Sequence, residues 1–179
     1  KTRRLRWPYR SKNESLIAFS NKHFYDSDLV LFPSPFKASD EFGVKLHKVP
    51  RGRFNNRRNI EEAQDVARCA AKHLLDNPNE SIGIVAMNAE QRDEIERQLD
   101  QLSKDQPAIA EALEINKESA DPIFIKNLEN VQGDERDVIY ISMTYGPEQI
   151  GGKTMQRFGP INSEKNAYIF FNGILGHCV

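Results

Sequence analysis

Between two short apolar runs, Ile123–Ile125 and Val138–Ser142, lies a hexapeptide dense in hydrogen-bonding groups: Gln132, Gly133, Asp134, Glu135, Arg136 and Asp137. An amide, three carboxylates and a guanidinium surround one glycine, which can adopt backbone angles closed to other residues. The flanking runs read as buried strands, the second rich in Val and Ile. A polar loop between buried strands is where α/β proteins place ligand-binding groups. The same composition also describes an ordinary charged turn, and the residue types by themselves leave both readings open.

A second candidate is Gly151-Gly152-Lys153-Thr154. A phosphate-cradling P-loop needs Gly, four residues, then Gly-Lys-Thr, and Pro147 stands where the first Gly should be. The loop must also feed a helix whose amides face the phosphates, and Gly159-Pro160 leaves little room for one. This stretch therefore reads as a plain loop. No apolar strand ends in the Asp-Glu that would hold magnesium, so the chain lacks both parts that ATP hydrolysis requires. The acids between Glu80 and Asp137 are dispersed along helical patterns, which argues against a metal-dependent nuclease. Cys69 and Cys178 make neither a disulfide framework nor a zinc site. Cys69 falls in a helical pattern and reads as a small buried apolar residue. His47 reads as a solvent-facing strand residue, and His177-Cys178 lacks partners, so no metal site is expected.

The elements that must position these groups follow from periodicity and punctuation. Asn13 can cap a short helix through Phe24, with Leu16, Ile17, Phe19 and Phe24 on its buried side. Leu29–Phe32 and Val44–Val49 read as short strands between Pro- and Gly-rich loops. Asn59 with Glu62 is a capping-box pattern opening a helix to Asp76. Its apolar face is Ile60, Ala63, Ala67, Ala70 and Leu74, and it reads as a packing helix rather than a site. Ser81–Met87 is a fully buried strand. Asn88 and Gln91 then cap a helix striped by Ile95, Leu99 and Leu102. Strand followed at once by capped helix is half of a parallel βαβ unit. Pro107–Asn116 is a further short helix, with Pro in its first turn.

At 179 residues the chain is one domain's worth, long enough for a substantial core. A net charge of −1 gives no global nucleic-acid signal, but the distribution is uneven. Basic residues cluster within positions 1–12 and again at Arg51, Arg53, Arg57 and Arg58, while Glu80 to Asp137 is predominantly acidic. Such asymmetry suits a basic face turned toward phosphates, or a solvated surface. There is no signal peptide and no membrane-spanning run, so a reducing cytoplasmic location is the default. The chain opens on a basic segment without Met and is expected to be a fragment.

The string V-Q-G-D-E-R-D-V-I-Y-I-S resembles motif V of superfamily 1 helicases of the 5′-to-3′ group, where Q-G-x-E-x-D precedes an apolar strand. Every fixed position is present. Residues 5–25 resemble the motif IV region, L-x-x-Q-Y-R followed by L-I-x-F-S-N-x-x-F-Y, with Pro8 replacing the usual Gln. Asn59 to Ala63 matches the family's N-x-x-E-A helix. The strand and turn from Ile82 match I-G-I-V-x-x-N-x-x-Q. Gly152, Lys153, Phe158, Gly159, Pro160 and Asn162 match a further family segment. The resemblance covers residues 5–162. The motif VI run R-R-L-N-V-A-x-(T/S)-R-A does not follow, and residues 163–179 form a non-matching tail without arginine.

The resemblance implies an α/β fold: a single RecA-like domain of the P-loop-NTPase type over residues 1–179, itself lacking a P-loop. Its central sheet would be mostly parallel and flanked by helices. It implies the second motor domain of an ATP-dependent superfamily 1 helicase or translocase, a hydrolase as a whole but inactive as this isolated chain. Arg10 would be the motif IV arginine reaching the γ-phosphate, a role its fixed fork of donors suits; by composition alone it is a surface arginine. Gln132, Gly133 and Glu135 would belong to the nucleotide-binding loop, with Glu135 toward the ribose and Arg136 and Asp137 orienting the loop. Asn88, Gln91 and Val131 would lie near the bound single strand, although capping alone accounts for Asn88 and Gln91. ATP and Mg2+ would be held mainly by an upstream RecA-like domain of the same chain. The partner would be single-stranded nucleic acid, DNA rather than RNA. The alternative is a non-catalytic nucleic-acid-binding or protein-interaction module derived from a helicase, which Pro8 and the missing motif VI arginine favour.

Overall fold

Ile82–Ala86 (β1) is five consecutive buried residues, and the remaining elements are arranged around it. In this computed structural model the described residues are 14–31, 43–131, 134–153 and 159. Phe124–Asn127 (β2) and Val138–Ser142 (β3) pair on either side of β1, giving the order β2-β1-β3 with both pairings parallel. Gly83 lies opposite Phe124 and Ile139; Ala86 lies opposite Asn127 and Ser142. The fold is therefore α/β with an all-parallel sheet flanked by helices, as a RecA-like domain requires.

Alternation along β1 separates two clusters. Ile82, Ile84 and Ala86 face Ala63, Ala70 and Leu74 of Ile60–Asp76 (α2), with Ile95 of Ala89–Asp105 (α3). Here Glu14–Phe24 is designated α1. The alanine stripe lets α2 approach the sheet closely. Ala67 and Ala71 continue this layer against Leu99 and Ile109, the latter from Pro107–Lys117 (α4). Val85 and Met87 pack on the opposite face, with Leu128 and Val131.

That second cluster follows from the topology. β2 ends at the carboxyl edge of the sheet while β3 begins at the amino edge, so residues 128–137 must return along the sheet. The return starts in a 3-10 turn, Leu128–Asn130. It ends at Asp137, whose Oδ2 accepts from Ser81 N at 2.9 Å and Ser81 Oγ at 2.7 Å. Between these ends Lys126 Nζ donates to Asp134 Oδ2 at 2.7 Å. The Arg136 guanidinium stacks on the Phe124 ring with its carbon 4.9 Å from the ring centre, and that ring lies over Gly83.

Several expectations need correction. β2 and β3 are half-buried for most of their length rather than fully buried, because among the described residues each borders the sheet and only β1 has strand neighbours on both sides. Val44–Val49 is extended but forms no strand, and Val44 and Leu46 are 63% and 80% exposed. Leu29–Leu31 is also irregular; Phe32 lies outside the described residues. Asn21 fixes this stretch instead, bonding both Leu29 N and Leu29 O through its side-chain amide. Ile60 is exposed at the first position of α2 and does not join its buried stripe. The Gly-Gly-Lys stretch is a turn, as its spacing requires.

Candidate functional site

Polar side chains gather where β1 and β3 end, at the carboxyl edge that parallel α/β sheets use for ligands. Asn88 follows β1 and caps α3, its Oδ1 accepting from Gln91 N at 2.8 Å. Capping turns the Gln91 side chain inward, where it is fully buried. Its Oε1 accepts from Asn59 N at 2.7 Å, and its Nε2 donates to Asn59 O at 3.1 Å and Ser142 Oγ at 3.0 Å. One amide therefore joins the start of α2, the start of α3 and the end of β3.

Glu62 closes the network. Asn59 caps α2 by accepting from Glu62 N, but the Glu62 carboxylate does not return to the Asn59 backbone as a capping box would. Gln91 already occupies that amide. Glu62 Oε1 instead accepts from Ser142 Oγ at 2.7 Å and Thr144 N at 2.9 Å, while Oε2 accepts from Asn59 Nδ2 at 3.1 Å. Burial pushes the Glu62 carboxyl above its ordinary range, outweighing the opposing hydrogen bonds.

The backbone beyond β3 is strained at the residue Glu62 holds. Thr144 has φ +66°, unusual for a β-branched residue, and Tyr145 N bonds back to Met143 O at 2.6 Å. Together these describe a γ-turn centred on a buried threonine. Such backbone persists only where its surroundings over-determine it, and the Glu62 carboxylate supplies the constraint. Phe54 packs against Tyr145 with ring centres 5.2 Å apart, and Phe54 N donates to Pro147 O at 2.9 Å. The segment before α2 thus docks on the segment after β3.

The second arginine cluster borders this edge, largely ion-paired. Arg53 Nε donates to Glu61 at 2.8 Å, and Arg57 Nε lies 2.9 Å from Glu90. Arg58 and Arg97 approach the buried Glu94 carboxylate at 3.3 and 2.8 Å. These acids lie near the starts of α2 and α3, so the cluster is a neutralised rim with Arg51 exposed beside it.

The residues singled out by sequence are distributed as follows. Asn88 and Gln91 come together and act as caps, with the Gln91 side chain fully engaged inside the protein. Val131 is fully buried, packed with Val85, Met87 and Leu128, and its carbonyl accepts from Asp134 N at 3.2 Å. Glu135 is exposed, between the Asp134–Lys126 and Asp137–Ser81 ties. Arg10, Gln132 and Gly133 lie outside the described residues. Arg136 and Asp137 anchor the loop, consistent with an orienting role. Asn59, Glu62, Ser142 and Thr144 were not anticipated as a site; the Asn59–Glu62 spacing was visible but reads equally as a simple cap. Cys69 is half-buried rather than buried, beside His47 and Asp65.

The described residues do not fit a magnesium–triphosphate cradle. The Glu62 carboxylate, the acid buried at this edge, is committed to Ser142, Thr144 and Asn59. Among the described residues no helix is long and apolar enough to cross a membrane.

The parallel sheet with helices packed against it is the α/β architecture of a RecA-like domain. Residues 1–156 match the AAA_12 family, described as an AAA domain, and the chain belongs to that family. It is 33% identical over 163 residues to the "Uncharacterized ATP-dependent helicase MG140" of Mycoplasma genitalium, and 31% identical to its homolog in Mycoplasma pneumoniae. These matches cover 89% of this chain and 14% of each relative's length. The chain is thus a helicase-type domain homologous to part of proteins named as ATP-dependent helicases.

Proposed function

We propose that the chain is the second motor domain of an ATP-dependent superfamily 1 helicase or translocase, contributing part of the ATP site and of the single-strand-binding face. One observation carries this reading: the loop matching motif V is tied to β1 and β2 while the Gln91–Glu62 network locks the neighbouring carboxyl edge. A movement of that loop would be transmitted to the starts of α2 and α3 through hydrogen bonds and strand pairing rather than through flexible chain. The helicase names of the Mycoplasma relatives support the motor class. The chain covers 14% of each relative's length, and in this reading ATP and Mg2+ are held mainly by an upstream RecA-like domain. In this reading Glu135 and the neighbouring Gln132 and Gly133 meet nucleotide, Arg10 meets the γ-phosphate, and Asn88 borders the path of single-stranded DNA, with the buried Gln91 and Val131 supporting that edge from beneath.

The test is ATP hydrolysis by the full-length protein, wild type against Arg10→Ala, with and without single-stranded DNA. The expected result is DNA-stimulated turnover that falls about a thousandfold in the variant, as for loss of an arginine finger. Stimulated turnover that is unchanged by the substitution removes Arg10 from the site. Absence of turnover in the wild type points instead to a module that has lost motor function, the reading that Pro8 favours.

A further inference from the structure

Away from the sheet edge, three side chains of different chemistry converge on the outer flank of α2. Asp65 and Cys69 are four residues apart and share one helical face. His47 reaches them from the extended segment 44–49. One donor atom from each, a carboxylate oxygen, a thiol sulfur and a ring nitrogen, lies within 4.8 Å of the other two. His47 Nε2 is 2.5 Å from Asp65 Oδ2.

We propose that His47, Asp65 and Cys69 form a binding site for a divalent transition metal, zinc by its donor set, that clips the extended segment to α2. Thiolate, imidazole and carboxylate together are borderline-soft donors that suit zinc rather than magnesium or calcium. A deprotonated Cys69 and Asp65 with neutral His47 would balance the charge of a divalent ion.

The geometry is within reach. Tetrahedral zinc with N and O ligands about 2.0 Å away separates those ligands by about 3.3 Å, and pairs involving sulfur by about 3.5 Å. His47 and Asp65 would move apart by less than an ångström, and the donor furthest from its neighbours would close by little more than one. His47 can make that adjustment because its side chain is 69% exposed. The same exposure leaves room for water at the fourth position.

Neighbouring charges set the competition. Arg68 pairs with Asp65 through Oδ1, the oxygen that does not face His47, and Lys72 also acts on Cys69. The clip also answers a structural need. Segment 44–49 has no strand pairing, and Val44 and Leu46 face solvent, so burial contributes little to holding it. The segment leads into Arg51–Arg58 and Asn59, and fixing it fixes the approach to the carboxyl edge.

The experiment uses full-length protein stripped with a chelator and titrated with Co2+ alone. Expected are one equivalent of tetrahedral cobalt with a near-ultraviolet thiolate-to-metal band, displacement of cobalt by Zn2+, and loss of the band in both Cys69→Ser and His47→Ala. Cys178→Ser retains it. Amide exchange over Val44–Val49 slows on adding Zn2+ to wild type but not to His47→Ala. Absence of a thiolate band in wild type, or its persistence in either variant, overturns the site. Binding without slowed exchange overturns the clip. Should Cys69→Ser fail to fold, His47→Ala, at an exposed position, decides the matter.

Discussion

Glu62 shows how much can depend on one carboxyl group. Glu62→Ala leaves the Thr144 amide and the Ser142 hydroxyl without their acceptor in a buried setting, so unfolding by denaturant should reveal a loss of about 2–4 kcal/mol. The titration of Glu62 provides an independent check. Its folded-state pKa is raised above the ordinary 4.5, so the native state binds more protons than the unfolded state in that window. Stability should therefore fall as pH rises from about 4.5 through the folded-state pKa, then level off. Glu62→Gln should flatten that slope; a slope unchanged in the variant would assign it to other groups. Gly83 makes a steric counterpart. A Cβ there would sit 2.5 Å from the Phe124 ring, which is itself covered by Arg136. Gly83→Ala should cost about 1–3 kcal/mol as overpacking, read as a lower denaturation midpoint. At this scale the sequence displayed the residue types but not their partners, since Ser142 at the end of an apolar strand looks like an ordinary strand terminus.

At the scale of elements, both caps were legible because capping is local. Asn59 and Asn88 each accept from the amide three residues on, as their spacing predicts. They should nevertheless differ in value. Asn88→Ala removes one cap bond and should cost about 1 kcal/mol, whereas Asn59→Ala also removes the donor to Glu62 Oε2 and should cost more. Equal losses in thermal or denaturant unfolding would mean that the Asn59–Glu62 contact contributes nothing. The failed strand at Val44–Val49 makes the opposite point. Alternation describes a chain that can present one face; pairing needs a neighbour with free backbone groups, and here the segment is tied by the His47 side chain at Asp65 and by Val49 O, which accepts from Gly52 N. Half-burial of β2 and β3 has a similar origin, because strand composition does not reveal position within a sheet.

At the scale of the molecule, the order β2-β1-β3 forces residues 128–137 to travel from one edge of the sheet to the other. The loop is therefore a strap across the domain, with Leu128 and Val131 buried along it and Asp137 fastened to Ser81. A strap attached at both edges suits the coupling role proposed for it, and the loss of DNA-stimulated turnover expected of Arg10→Ala is the whole-protein test of the motor reading on which that role rests. The chain covers 14% of the length of its helicase-named relatives, so that measurement belongs to the full-length protein.

The sequence by itself determined the local vocabulary: a central apolar strand, the capped helices that precede and follow it, a non-P-loop glycine turn, and a polar loop between two strands. These depend on periodicity, capping and turn chemistry within a few residues. Only the tertiary structure decided that Glu62 meets Ser142 and Thr144, some eighty positions away, and that His47 meets Asp65 and Cys69. Those meetings depend on strand register and on how α2 lies over the sheet. The packing of many residues sets both at once, so no local spacing encodes them.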